Sequence, residues 1–174
     1  MKKTVIALIL ALCLLCTAAA ALADDTFSTD FYTVKLPEGD WQKVDGEGDI
    51  TYFYKDGNVL NGAIMFVIQD LDEETAATIT DELLPVLYNS MIGALAVYAV
   101  DGEVAQEESV IADHPGVLFS YKQETNGVQI PVIGNTVYIN GHLIALCYMH
   151  MTMSQEEIRE KVLELSANVS YTGK

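Results

Sequence analysis

Basic residues are scarce in this chain. Nine lysines and arginines stand against 25 aspartates and glutamates, a formal net charge of −16 over 174 residues. Such a surface repels phosphate backbones and anionic membrane surfaces, so nucleic-acid binding by charge is excluded. Cysteine is rarer still, and two of the three, Cys13 and Cys16, fall in an N-terminal stretch that reads as a secretion leader. Cys147 alone remains in the body, which rules out an internal disulfide. Within Leu143-Ile144-Ala145-Leu146-Cys147 it reads as a buried, inert thiol. The sequence has no G-x-S-x-G nucleophile elbow and no glycine-rich phosphate cradle. It also lacks internal repeats, low-complexity tracts and an interdomain linker.

The leader has its parts in order. Met1-Lys2-Lys3 is a basic start, Thr4 to Thr17 an apolar stretch, and Ala21-Leu22-Ala23 a small-x-small cleavage site before Asp24-Asp25. Residues 1–23 are therefore expected to be a cleavable signal peptide, with 24–174 a single domain. Val5 to Ala23 approaches the length of a membrane span. Acidic residues follow it with no basic stop-transfer cluster, so no span is expected after cleavage. Leu12 and Leu15, preceding the leader cysteines, argue against lipidation. Loss of Lys2 and Lys3 with the leader leaves 25 acids against seven bases, a charge of −18. The expected location is secreted, extracellular or in the cell envelope.

Periodicity organises the rest. Residues 24–30 are polar and expected to fray. Phe31–Leu36 alternates as a strand closed by Pro37-Glu38-Gly39; Ile50–Lys55 is β-branched and aromatic, with Asp56-Gly57 as its turn. Ala63–Gln69 is an apolar run suited to a strand covered on both faces. From Asp70 to about Tyr98 the spacing of Ile79, Leu83, Val86, Leu87, Met91 and Leu95 predicts an amphipathic helix, which Pro85 kinks or divides in two. Strands are then predicted over Glu103–Ile111, Gly116–Lys122, Val128–Ile139 and His142–Met151. Their turns are Asp113-His114-Pro115-Gly116, Asn126-Gly127 and Asn140-Gly141. Ser154-Gln155-Glu156-Glu157 is a capping box opening a last helix. Ile158, Val162 and Leu165 form its buried stripe, and Glu157 and Lys161 are expected to pair on its wet side. The order predicts an α+β fold, an antiparallel sheet flanked by a central and a C-terminal helix.

The segment Val34-Lys35-Leu36-Pro37-Glu38-Gly39-Asp40-Trp41, with Asp40 added before the tryptophan, resembles the opening of PsbP-like domains. The hairpin, central helix, meander through Asn140-Gly141 and terminal helix ending near Ser166 to Tyr171 follow in the same order, over most of residues 27–171. The resemblance implies a sheet sandwiched between helices, in exported or lumenal accessory and binding modules. It brings no shared catalytic set.

Candidate constellations each have a plainer reading. Asp45-Gly46-Glu47-Gly48-Asp49 with Asp56 approaches a calcium-loop spacing, but Ile50 replaces the sharp-turn glycine and Asp56 the bidentate glutamate. A solvated acidic turn is expected. Cys147, Met149, His150, Met151 and Met153 are soft ligands, yet a strand sends Cys147, Met149 and Met151 to one side and His150 to the other. His114 and His142 are expected in or beside turns and exposed. No metal and no cofactor is expected, and no catalytic residue is assigned. Ser90, Ser109 and Ser120 have no activating neighbour in sequence, and Glu107-Glu108 would point to opposite faces. Binding is assigned instead to Tyr52 and Tyr54, which share a strand face opposite Phe53, and to Tyr98 in the apolar stretch Ala94–Val100. The function expected is a non-catalytic exported binding or accessory domain with a groove between sheet and helix. Its partner would be a neutral or basic protein, peptide or envelope component. The alternative is a small secreted hydrolase-like enzyme whose site is assembled from dispersed residues.

Overall fold

Ten strands, three α-helices and one 3-10 turn, Val59–Asn61, form the regular structure of the described part of the chain. The computed structural model describes residues 26–30, 32–46, 50–125 and 127–171, and the expected leader lies outside them. The strands are β1 (Thr26–Ser28), β2 (Tyr32–Lys35), β3 (Trp41–Asp45), β4 (Ile50–Lys55), β5 (Ala63–Asp70), β6 (Ala105–Ile111), β7 (His114–Thr125), β8 (Val128–Ile139), β9 (His142–Met149) and β10 (Val169–Tyr171). The helices are α1 (Glu73–Ala76), α2 (Leu84–Leu95) and α3 (Gln155–Ala167). Seven strands form one antiparallel sheet in the order β3-β4-β5-β9-β8-β7-β6, and β2 holds β1 and β10 on its two sides in a second, three-stranded sheet. The α+β architecture is the one expected, in three layers: α2, the large sheet, then α3 beside the small sheet.

Segments that the sequence leaves as loop or frayed end become strands because a partner is present. Thr26–Ser28 pairs with Thr33–Lys35 and buries Phe27, so the expected fraying does not hold there. Trp41–Asp45 pairs with Thr51–Lys55, and Val169–Tyr171 follows α3 as strand rather than continuing the helix. The Leu36–Trp41 loop is closed by the Trp41 indole Nε1, which donates to the Pro37 carbonyl at 2.7 Å.

The expected long helix is two. Asp72 caps α1 by accepting from Thr75 N at 2.8 Å, and the run breaks after Ala76. The second helix begins at Leu84 with Pro85 in its first turn, where a missing N–H costs no helix bond. The hairpin before β7 also differs. Ala112 and Asp113, with φ of 49° and 65°, make the tight turn, so His114 stands in the strand and is half-buried. The β9 strand stops at Met149, which leaves Met151 outside it. At α3 the capping box is present as expected. Glu157 is spent on that cap, and Lys161 pairs with Glu164 at 2.6 Å instead.

One face of the large sheet is closed. Trp41, Phe53, Ile64, Phe66, Ile133, Leu146 and Tyr148 pack there against Phe27, Tyr32 and Val34 of the small sheet and Ile158, Val162 and Leu165 of α3. The Asn135 amide donates to Ser166 Oγ, which donates to the Val162 carbonyl, so the buried polar groups beneath α3 satisfy one another. On the opposite face α2 lays Leu84, Tyr88 and Ile92 over β7, β8 and β9. Tyr88 anchors it, its hydroxyl donating to Pro115 O at 2.7 Å and accepting from Tyr138 N at 3.0 Å. Gly134 leaves room for this packing, since a Cβ there would lie 2.6 Å from the Phe119 ring.

Candidate functional site

Strand alternation and register decide which side chains share the face that α2 only partly covers. Along one cross-strand row Val44, Tyr52, Met65 and Cys147 are successive neighbours, continuing to Gly134 and Phe119. Exposure falls along that row. Val44, Tyr52 and Met65 are half-buried, whereas Cys147 and Phe119 lie under α2 and are closed to water. The adjacent row runs from Tyr54 through Ala63, Met149 and Val132 to Tyr121.

Tyr52 and Tyr54 stack with ring centroids 5.9 Å apart and 23° between planes. Phe53 between them points the other way and is wholly buried, as the alternation requires. Gly46 makes space for the Tyr52 ring, because a Cβ there would stand 2.8 Å from it. Tyr98 arrives from a different element. Past the end of α2, Val100 N donates to Lys122 O at 2.8 Å and Ala99 bridges Gln123, which folds residues 96–100 back against β7. Val97 is left 78% exposed and Tyr98 43%. Tyr121 links the two groups. Its phenol is pushed up first by burial and then by Cys147, Tyr98 and Tyr52 around it. Tyr52 and Tyr54 therefore adjoin on β4 while Tyr98 lies by β7, and Tyr121, not singled out from the sequence but on the same face as the first two, feels the charge of both Tyr98 and Tyr52. Alternation within the predicted Gly116–Lys122 strand, which puts Val117, Phe119 and Tyr121 on one side, was the available signal.

The other constellations come apart. Burial pushes the Cys147 thiol up to about 12, so it stays protonated and unreactive at neutral pH. Met149 shares its face, but Met151 stands exposed in a turn and Met153 packs into the core on the opposite face. His150 lies beyond the strand end, stacked on Tyr148, with Nδ1 accepting from Thr152 N at 3.2 Å. Burial, then Lys55 nearby, holds its pKa below the ordinary value. His142 is half-buried rather than exposed and hydrogen bonds Asp70 Oδ1 at 2.6 Å. In the acidic turn Asp45 pairs with Lys43 at 2.8 Å, while Glu47 to Asp49 lie outside the described residues. Among the described residues no three His, Cys, Asp or Glu side chains converge as a metal site. No described helix is long and apolar enough to cross a membrane.

Away from the tyrosines, a concavity of about 200 Å³ lies between the first turns of α3 and strands β6–β8. Leu118 and Ile133 form its floor and Ala105, Glu107, Glu156 and Arg159 its mouth. Two polar contacts cross from helix to sheet beside it, Arg159 to Glu107 and Gln155 Nε2 to Ser120 Oγ at 3.4 Å.

The first two of the following solved structures share this fold. The solution structure of cyanobacterial PsbP (CyanoP) from Synechocystis sp. PCC 6803 superposes with a TM-score of 0.56 at 10% identity, covering 90% of this chain and 98% of that one. A crystal structure from Bacteroides thetaiotaomicron VPI-5482 gives 0.56 at 9% identity over 88% of this chain, which spans only 50% of its length. LpqN of Mycobacterium tuberculosis, involved in cell envelope biogenesis, gives a TM-score of 0.42 at 12% identity, over 89% of this chain and 90% of that one. No family model matches the chain, and no curated protein matches it in sequence. The fold is PsbP-like.

Proposed function

We propose that this chain is a non-catalytic exported binding or accessory domain that recognises a protein, peptide or envelope component on the open half of its large sheet. The observation that carries the reading is a sheet face only partly covered, with stacked Tyr52 and Tyr54 among half-buried Val44, Met65 and Val67, and with exposed Val97 and Tyr98 in the segment folded back against β7. Tyrosine combines a broad apolar ring with a hydroxyl and suits a surface that is wet when free and dry when bound. Methionine adapts its shape to what it meets. The excess of acids favours a neutral or basic partner over an anionic one. The leader-like residues 1–23 support export.

The shifted ionisable groups fit a binding domain too. Asp72 and Glu157 are lowered by the backbone N–H groups they cap, Cys147 is raised by burial, and His150 is lowered by burial. Each shift has a structural cause.

A photo-crosslinking side chain in place of Tyr54 or Tyr98, in secreting cells, should capture one and the same partner. Placed at Glu160, on the helix of the opposite layer, it should not. Tyr52→Ala with Tyr54→Ala should remove the crosslinked product and leave the protein folded. Equal capture from position 160 would refute the reading. So would turnover of an ester, glycan or peptide that is lost on changing one acid or histidine.

A further inference from the structure

The large sheet ends in an edge that is long, regular and unoccupied among the described residues. Strand β6 pairs with β7 residue for residue, from Ala105 opposite Ser120 to Ile111 opposite His114, with no bulge and no proline of its own. No described strand and no described backbone hydrogen bond reaches its other side. An edge of this kind presents alternating N–H and C=O groups to any extended chain that fits. Its exposed side chains include Glu107, Glu108 and Val110, the last 72% exposed. Two copies of β6 meeting at their edges would bring glutamates together in a strongly acidic protein, which opposes self-pairing and admits lysine or arginine.

The small cavity opens beside this edge. At about 200 Å³ it is below the roughly 300–1,000 Å³ of small-molecule sites. Its apolar floor of Leu118 and Ile133 and its position beside Ala105 and Glu107 suit one side chain from a strand laid along β6. In strand addition, main-chain hydrogen bonds supply affinity and pockets for alternate side chains supply specificity. We infer that the outer edge of β6 accepts an extended basic peptide segment as an added strand, one aliphatic side chain of which enters the cavity beneath α3. The salt link from Arg159 neutralises Glu107. Glu108, on the opposite side of the sheet from the cavity, remains to attract the lysines or arginines that alternate with the aliphatic residues. This surface is separate from the tyrosine face and does not depend on it.

The probe is a capped heptapeptide alternating lysine and leucine, titrated into the isotopically labelled protein as secreted and followed by backbone amide shifts. Shifts are expected at residues 105–111, at Leu118 and at Ile133. Glutamate for lysine, or serine for leucine, in the peptide should weaken binding about tenfold or more. N-methylation of alternate peptide nitrogens should do the same by removing strand hydrogen bonds. Glu108→Lys should weaken binding through charge, and Ala105→Phe by filling the cavity mouth; both positions are exposed, so the fold should tolerate them. The inference is overturned by no binding, by shifts centred on Tyr52, Tyr54 and Tyr98, or by equal binding of the lysine–serine or N-methylated peptide.

Discussion

On one side of the large sheet Phe53, Ile64 and Phe66 disappear beneath α3 and the small sheet. On the other side, Tyr52, Met65 and Val67 from the same two strands remain half exposed. Alternation along a strand supplies apolar residues to both sides; what differs is how much cover each receives. A helix with its side chains is about 10–12 Å across, and strands lie about 4.8 Å apart. The single helix α2 therefore shelters two or three strands of seven, and it sits on β7, β8 and β9. The closed side has a helix and three further strands. Along β4 and β5 the residue types follow the cover: Phe53, Ile64 and Phe66 stand on the closed side, Tyr52, Tyr54 and Met65 on the open one.

The comparison breaks most visibly at Phe53. Phe53→Ala should cost about 4 kcal/mol through the cavity it leaves, read as a lowered urea midpoint. An unchanged midpoint would mean that the face is not closed. Next comes the helix that closes it, where Ile158→Ala should cost about 3 kcal/mol and Ser154→Ala, which removes the cap, about 1 kcal/mol. Equal losses from the two would show that α3 is held by its cap rather than by its buried stripe. On the open side Tyr54→Ala should cost under about 1 kcal/mol while abolishing partner capture, and a loss as large as that at Phe53 would erase the distinction between the faces.

The smallest effect expected is at His150. Its folded pKa is depressed, so below the unfolded value of about 6.5 the unfolded chain binds a proton that the folded chain resists. The stability contributed by the neutral ring is complete above that pH and is lost as the pH falls towards the folded pKa. His150→Gln should flatten the decline in stability measured between pH 7 and 5, and an unchanged slope would assign that decline to other groups.

Much of this was legible from local pattern. The capping box at Ser154 and the stripe Ile158, Val162, Leu165 are read from spacing alone because a helix satisfies most of its own hydrogen bonds. Strand β8 is legible to the residue because Asn126-Gly127 and Asn140-Gly141 bound it on both sides. Strands β1, β3 and β10 were not. At three to five residues each they carry too little alternation to declare themselves, and they are strands because β2 and β4 lie beside them. The binding face was half legible for the same reason. Tyr52 and Tyr54 share a strand and reveal their common side. That Tyr121 would stand between them and Tyr98 depends on the strand order β4-β5-β9-β8-β7, which no local pattern encodes.

The place of β2 in the small sheet governs the timing of folding. Its one side pairs with Thr26–Ser28 and its other with Val169–Tyr171, so one four-residue strand gathers segments from near both limits of the described chain. A pairing with so large a loop between its members forms slowly, because the entropy of closing the loop is lost before the contact rewards it. During synthesis, which proceeds from the N-terminus, the first hairpin exists while its third strand is still unmade. Val34, wholly buried in the finished protein, then keeps one flank open until Val169 arrives. The layer that closes the core is therefore the last to be completed, and a nascent chain lacking its final helix and strand leaves that face open.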